Sequence, residues 1–444
     1  MVEPSIENLS FKIGKFNLQV DKSLLFQSRI TIPLKPSQII SIPCFSSENP
    51  IFPKYSFTLV DSPSKQKLKL KTFSVFIIPQ GQENSWSFSE IEGQRDLLKT
   101  VNTSRLLFVK LNHGFEFSTM QAIQQELSEI AQFLAPPMGK SSRIAFMTNG
   151  DIGERAVVFQ NGNMIIEDVK EEETYLRQLI YLTNVNQIQS EIKLKQVLNT
   201  DSPLHAENSP AVKQGGLLEA DYSTLTCEWL KVMLFSLAFN SNTIFGNEEM
   251  INVLILGAGG GVFSSFLLSH FQNIQVFAVD IDSSLIDIGR RFFGAKESNR
   301  QQIIIEDALV FVENCRDLQF DLVFLDICAA DSHIPTPPPP FTSQDFLRKL
   351  KNLMTENCVL SINTFGTAHQ KENSIKEILK SFESLYKISC KEDTNDILFC
   401  LKKIITQSQI EDNLKIIEER KTWDSSLNLS DYLSALKLET PKSS

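Results

Sequence analysis

Apolar and polar positions change rhythm along the chain. As far as residue 150, short alternating runs dominate. Residues 11–20 alternate as one half-buried strand would, and so do residues 29–33, 55–60 and 106–110. Residues 73–78 form a short apolar run stopped by Pro79-Gln80-Gly81, a turn signal. Met120, Ile123, Leu127, Ile130 and Phe133 recur at helical spacing and predict a helix over residues 119–133. Residues 1–150 therefore read as a β-rich N-terminal domain that serves packing or partner binding. Residues 164–169 and 179–182 predict a strand pair that leads into residues 187–193. Residues 196–216 are polar, with Pro203, Pro210 and Gly215-Gly216, which is linker composition.

From residue 216 to residue 403 strands and helices alternate. The apolar runs 253–256, 276–279, 303–305, 322–325 and 359–362 are short, continuous and separated by helical patterns. Such runs predict strands buried on both faces, hence a mostly parallel α/β sheet. Residues 386–390 and 397–401 are joined by six polar residues, a connection that makes a hairpin and turns the sheet edge antiparallel. Residues 405–420 predict an amphipathic helix, followed by Trp423 and an apolar stripe of Leu429, Leu433 and Leu436. The expected organisation is thus 1–150, then an α/β domain over 151–404, then a helical tail over 405–444.

Composition narrows the function. The chain has 444 residues and a formal net charge of −10, which disfavours a nucleic-acid surface or an anionic membrane and suits a basic protein partner. The seven cysteines are scattered without a CxxC, so neither a disulfide framework nor a zinc site is expected. None of the five histidines sits at metal spacing, and no metal is expected. With no basic leader or long apolar stretch, the expected location is cytoplasmic.

Chemistry concentrates where strands end. Val253-Leu-Ile-Leu-Gly-Ala-Gly-Gly-Gly-Val262 runs a buried strand into Gly257, Gly259, Gly260 and Gly261, and a helix follows. Glycines there permit a tight turn and close approach of a ligand. Asp280, 23 residues after Gly257, ends the next strand and precedes Ile281. An acid at that place accepts ribose hydroxyls. Asp307, followed by Ala308, ends the third strand and suits an adenine amine, and Asp326 ends the fourth. The carboxyl ends of the strands are where open α/β sheets bind ligands. Four such signals in order predict an S-adenosylmethionine-type site more strongly than a nicotinamide site, for which no catalytic dyad is visible.

These motifs resemble a known family. Residues 253–401 look like spermidine synthases, and the chain from about residue 55 onward resembles the methyltransferase-like protein 13 family, which methylates translation elongation factor 1-alpha. The matching segments include Val60-Asp-Ser-Pro63, Phe76-Ile-Ile-Pro-Gln-Gly81, Gly150-Asp-Ile-Gly153, Ile166-Glu-Asp-Val169, Gln189-Ser-Glu191, Pro338-Pro-Pro-Phe341, Asp396-Ile-Leu-Phe-Cys400 and Trp423-Asp424 with Leu429-Ser-Asp431. The resemblance implies a class I S-adenosylmethionine-dependent methyltransferase fold, spermidine synthase-like. It also implies S-adenosyl-L-methionine as cofactor and elongation factor 1-alpha as protein substrate. Family members often carry a lysine-directed domain followed by one that methylates the N-terminal α-amine. The match lies after the first of these, so the resemblance implies α-N-methylation. A homodimer is compatible with it.

Two departures separate the chain from polyamine synthases. Gly260 stands where their Gly-Gly-Gly-Asp-Gly-Gly turn has Asp, and Asp326-Ile-Cys-Ala-Ala-Asp331 replaces their Asp-Ser-Ser-Asp-Pro. An acid at 260 would repel the carboxylate of intact S-adenosylmethionine. Glycine removes that repulsion and is expected to open backbone N–H groups. By resemblance, Gln189 contacts cofactor and Asn363 holds the substrate's N-terminus. Asp326, at the end of the fourth strand, is expected to accept a hydrogen bond from the amine, orient its lone pair and take its proton. Residues 335–341 suit one wall of an acceptor groove. The alternatives are a lysine methyltransferase, a polyamine synthase or a non-catalytic binding module with the same fold.

Overall fold

In the computed structural model, residues 8–21, 39–47, 50–62, 72–80, 82–83, 85–101, 103–116, 119–135, 144–148, 155–161, 163–171, 174–181, 188–201, 203–205, 209–212, 216–246, 250–295, 298–329, 334–391 and 394–439 are described. The expected strand at 29–33 lies outside them. The chain divides into two compact units: Met1–Asn161 with Ile165–Glu173 and Asn208–Pro210, and Gly162–Met164 with Thr174–Glu207 and Ala211–Ser444.

The first unit is built on a seven-stranded sheet of β1 (Asn8–Ile13), β2 (Phe16–Asp21), β3 (Ile40–Ser46), β4 (Pro53–Asp61), β5 (Phe73–Ile77), β6 (Arg105–Leu111) and β7 (Ala145–Met147), in the order β1-β2-β3-β4-β6-β5-β7. The alternation over residues 11–20 is not one strand. Gly14 takes φ +55° and folds it into the β1–β2 hairpin. Such backbone is open to glycine because it has no Cβ to clash. Among the described residues three α-helices belong here: α1 (Trp86–Ser89), α2 (Ile91–Val101) and α3 (Met120–Leu134). The Thr119 hydroxyl caps α3 by accepting from Ala122 N, and Ile123, Leu127, Ile130 and Leu134 bury its apolar face. The α2 helix is missed by periodicity, since its buried positions include Gly93 and Gln94. Strands β8 (Arg155–Gln160) and β9 (Met164–Glu171) pair antiparallel.

In the second unit β10 (Thr174–Tyr181), β11 (Ile188–Val197) and β12 (Leu217–Asp221) form an antiparallel ladder. The expected linker is partly tied down, because Leu204 N donates to Leu218 O and His205 N to Arg291 O. The main sheet comprises β13 (Ile251–Leu256), β14 (Ile274–Asp280), β15 (Gln301–Ile305), β16 (Phe320–Leu325), β17 (Met354–Thr364), β18 (Ser384–Ser389), β19 (Asp396–Leu401) and β20 (Lys437–Glu439), in the order β15-β14-β13-β16-β17-β19-β18-β20. The first five strands are parallel. The hairpin pairs antiparallel with β17 through β19, and β20 adds to β18.

Strand alternation splits the core. Val253 and Ile255 face α4 (Glu228–Leu234), α5 (Ser241–Gly246), α6 (Val262–His270) and α11 (Gln407–Arg420). Leu254 and Leu256 face α8 (Ala308–Asn314), α9 (Gln344–Asn352) and α10 (Ala368–Ile378). The remaining helix is α7 (Ser284–Phe292). The tail is part of the first face, as Ile410, Leu414, Ile417, Trp423 and Leu429 lie in the same buried cluster. One expectation fails at the edge. Among the described residues β15 has no neighbour beyond it, and Ile303 and Ile305 remain 36% and 42% exposed rather than buried on both faces.

Candidate functional site

The chain reverses its winding at β13. From there β14 and β15 lie to one side and β16 and β17 to the other, which opens a crevice at the carboxyl ends of β13 and β16. The glycine turn fills its floor. Gly257, Gly259 and Gly261 take φ of +91°, +55° and +73°. A Cβ at Gly257 would lie 2.2 Å from Asp326 O, so only glycine lets the turn after β13 meet the end of β16.

The turn does not open its N–H groups, contrary to expectation. Gly257 N and Ala258 N donate to Val279 O at 2.9 and 3.3 Å, and Gly261 N donates to Ala258 O at 3.0 Å. Gly259 N donates to Asp280 Oδ2 at 2.9 Å, and Gly260 N to the Ser190 hydroxyl at 2.8 Å. A turn that binds pyrophosphate presents such groups to the ligand. Here the protein satisfies all five, because a buried N–H without an acceptor is costly. The floor is therefore rigid and electrically quiet, suited to a ligand that packs against it.

The acids sit around this floor. Asp280 accepts from Gly259 N and, through Oδ1, from Asp282 N at 3.0 Å. Burial pushes its carboxyl above the usual range against these bonds. Ile281 beside it is 71% exposed, an apolar wall open to a ligand. Asp307 Oδ1 accepts from Leu309 N at 2.8 Å and caps α8, while Ala308 is buried at the first turn. Gln189 lies against Gly259 and its Oε1 accepts from the Cys328 thiol at 3.1 Å.

Asp326 is held from behind. Asn363 Nδ2 donates to its Oδ1 at 2.7 Å, and the Trp229 indole on α4 donates to it as well. Asn363 is only 3% exposed, and its Oδ1 accepts from Asn395 Nδ2 at 2.7 Å. Both ends of its amide are thus engaged with protein, and it reaches the crevice through Asp326. Burial raises the Asp326 carboxyl above the ordinary aspartate value although both donors work against that. The proline-rich stretch is pinned beside it, where Thr336 and Phe365 exchange backbone hydrogen bonds of 2.8 and 2.9 Å. Ile334 and Phe365 are 39% and 37% exposed there.

Sequence reasoning missed three residues of this site. Ser190 stood inside a quoted motif, beside Gln189, but nothing marked its hydroxyl as the anchor of the turn. Trp229 and Asn395 carried no motif, because their importance comes only from what folds against them. Among the described residues no group of His, Cys, Asp and Glu could hold a metal ion, and no helix is long and apolar enough to cross a membrane.

The topology and the carboxyl-end site define a class I, spermidine synthase-like methyltransferase fold, with a β-rich unit before it. Residues 232–413 match the spermine/spermidine synthase domain family. Over 87% of its length the chain is similar to curated eEF1A lysine and N-terminal methyltransferases. The human eEF1A lysine and N-terminal methyltransferase is 32% identical over 426 residues, covering 87% of this chain and 60% of its own length. The Drosophila melanogaster homolog is 26% identical over 410 residues, covering 87% and 58%. The chain thus spans about 60% of the length of the curated relatives it matches. Among solved structures, human methyltransferase-like protein 13 in complex with SAH is 26% identical, with TM-score 0.41 over 46% of this chain and 99% of that one. A probable spermidine synthase from Corynebacterium glutamicum is 13% identical, with TM-score 0.43 over 64% and 96%.

Proposed function

We propose that the protein is an S-adenosylmethionine-dependent N-methyltransferase whose acceptor is a protein amine, the N-terminal α-amine of elongation factor 1-alpha. The observation that carries the reading is the contact between Gly257 and Asp326, which brings the floor of a cofactor crevice against a desolvated carboxyl. The residues present fit S-adenosylmethionine. The glycine turn offers a packing surface without an anion nest, Asp280 stands at ribose position, Ile281 supplies an apolar wall, and Asp307 with Ala308 closes the third strand. Gln189 flanks the turn. When bound, the cofactor supplies an already activated methyl group.

The protein's task is then to position a neutral amine and exclude water. An α-amine has a reference pKa of ~7.7–8.0, against ~10.4 for a lysine side chain, so it loses its proton with less help. The Asp326 carboxylate accepts a hydrogen bond from the incoming ammonium and takes its proton, which frees the nitrogen lone pair for attack. Its raised pKa brings it closer to that of the amine, which makes the transfer less uphill. Asn363 and Trp229 fix the carboxyl, and Asn363 is a positioning residue in this scheme. The apolar Ile334 and Phe365 and the residues at 335–341 line the acceptor side. A cytoplasmic location follows from the elongation factor as substrate.

The test is transfer of labelled methyl to elongation factor 1-alpha with a free or an acetylated N-terminus. Label on the free form alone supports the reading, whereas equal label on both moves the target to a side chain. Asp326→Asn should keep cofactor affinity and lower kcat by ~100-fold or more, the usual scale of a lost general base. Full activity in that variant would remove Asp326 from the chemistry.

A further inference from the structure

Behind Asp326 lies a chain of amides that starts outside the site. The chain entering β19 meets the end of β17. Cys390 N donates to Asn395 O at 2.9 Å, and Lys391 N donates to Glu228 Oε1 on α4 at 3.0 Å. Thr364 Oγ1 donates to Asp396 O at 2.6 Å, and Lys371 of α10 pairs with Asp396 at 3.2 Å. Asn395 is therefore anchored on both sides by bonds to three elements, and its Nδ2 meets Asn363 Oδ1.

That contact settles a question Asn363 cannot settle alone. An amide presents either N–H or carbonyl oxygen to a neighbour, and the two faces are nearly identical in shape. If the amide turned over, its oxygen would meet the Asp326 carboxylate, and the two acceptors would repel. A donor at 395 makes the productive orientation the one that satisfies both partners.

We propose that Asn395 is a positioning residue for methyl transfer, which fixes the Asn363 amide so that its N–H holds Asp326 as a carboxylate aimed at the amine. The proposal rests on the catalytic reading of Asp326 but concerns a residue that acts on it through Asn363. The groups facing Asp326 make the effect readable. From β17 comes the Asn363 amide and from α4 the Trp229 indole, both uncharged. From its own strand end comes the Cys328 thiol, pushed up to about 12 by burial and by Asp326 and Asp280, and therefore neutral.

Asn395→Asp keeps the shape and removes the donor. Asn363 then turns its N–H toward position 395 and its oxygen toward Asp326. The Asp326 carboxyl should titrate about one unit higher, read by carbon-13 NMR of the full chain. The acid limb of kcat against pH should move with it, and kcat near neutrality should fall by about tenfold with cofactor affinity unchanged. Asn395→Ala leaves Asn363 free to keep its N–H on Asp326, so it should be milder than Asn395→Asp. A purely packing role predicts the reverse order, because alanine loses volume and aspartate does not.

A new negative charge could act through space instead, and Asn363→Ala separates the two causes. In that background Asn395→Asp should no longer move the Asp326 titration, and a shift that persists overturns the proposal. So does an unmoved titration in the single variant. The carboxyl titration needs no turnover, so an absence of amine methylation by the wild type would overturn the proposed function while the titration still decides the role of Asn395.

Discussion

Placing an acid at position 260 probes how far the glycine turn has departed from a polyamine synthase. A Cβ on Gly260 would lie 3.1 Å from Ser190 Oγ, 3.2 Å from Ser190 Cβ and 3.3 Å from Phe293 Cδ2. These neighbours must each give a few tenths of an ångström, and neither is free to do so. Ser190 is 8% exposed on β11, and Phe293 is 0% exposed. Overpacking of this kind costs about 1–3 kcal/mol. The carboxylate beyond the Cβ would lie at a buried position whose N–H already donates to Ser190, and an uncompensated buried charge adds several kcal/mol before the structure relaxes. A total near ~4 kcal/mol for Gly260→Asp, at ~2–4 °C per kcal/mol, lowers Tm by ~8–16 °C. Ser190→Gly removes two of the three contacting atoms and leaves the charge, so the double variant should recover ~1–2 kcal/mol as a coupling energy. Thermal unfolding of the four proteins gives the cycle. Calorimetric titration with S-adenosylmethionine and its decarboxylated form gives the binding, and Gly260→Asp should weaken the first more than the second. A Gly260→Asp protein that melts with the wild type and binds both ligands as before would refute the steric and the electrostatic arguments together.

Other outcomes follow from bonds already described. Ser190→Ala leaves the buried Gly260 N–H without its acceptor, a loss of about 1–3 kcal/mol that should appear in Tm and in weaker cofactor binding. Unchanged values would mean that the hydroxyl does not anchor the turn. In the first unit Arg155, 5% exposed, donates to Glu83 at 2.6 Å and lies 3.4 Å from Glu167, which is 0% exposed. Arg155→Met strips a buried carboxylate of its partner and should cost about 3–5 kcal/mol in urea unfolding at neutral pH. Burial raises Glu167, but Arg155, His113 and the Gly114 N–H outweigh it and hold the group below its ordinary 4.5. In the wild type that stabilisation is therefore present above pH 4.5 and is lost as pH falls through the folded value. The deficit of Arg155→Met should shrink in acid, and an equal deficit at pH 4 and pH 7 would contradict the ion-pair account. Asp326→Asn and Asn395→Asp complete the set, the first with cofactor binding kept and catalysis lost, the second with a displaced acid limb.

What the sequence determined on its own is local and periodic. Continuous apolar runs ending in Gly257, Asp280, Asp307 and Asp326 announced parallel strands and put one chemical group at each carboxyl end, because a strand's direction and its last residue are both written in order along the chain. The short polar run before Asp396 announced the antiparallel hairpin for the same reason. Tertiary structure decided whatever depends on residues far apart in sequence. Only the packing of β11 onto the turn gives Gly260 the Ser190 hydroxyl and closes the one N–H that the turn and β14 leave open. Only the sheet order leaves β15 at an edge with Ile303 and Ile305 exposed, although its apolar run looks like any other. Asn363 lies 37 residues from Asp326 and 32 from Asn395, and the hydrogen bonds joining them exist because β17 lies between β16 and β19. A hydrogen bond needs a partner within about 3 Å, and no pattern along the chain encodes that distance.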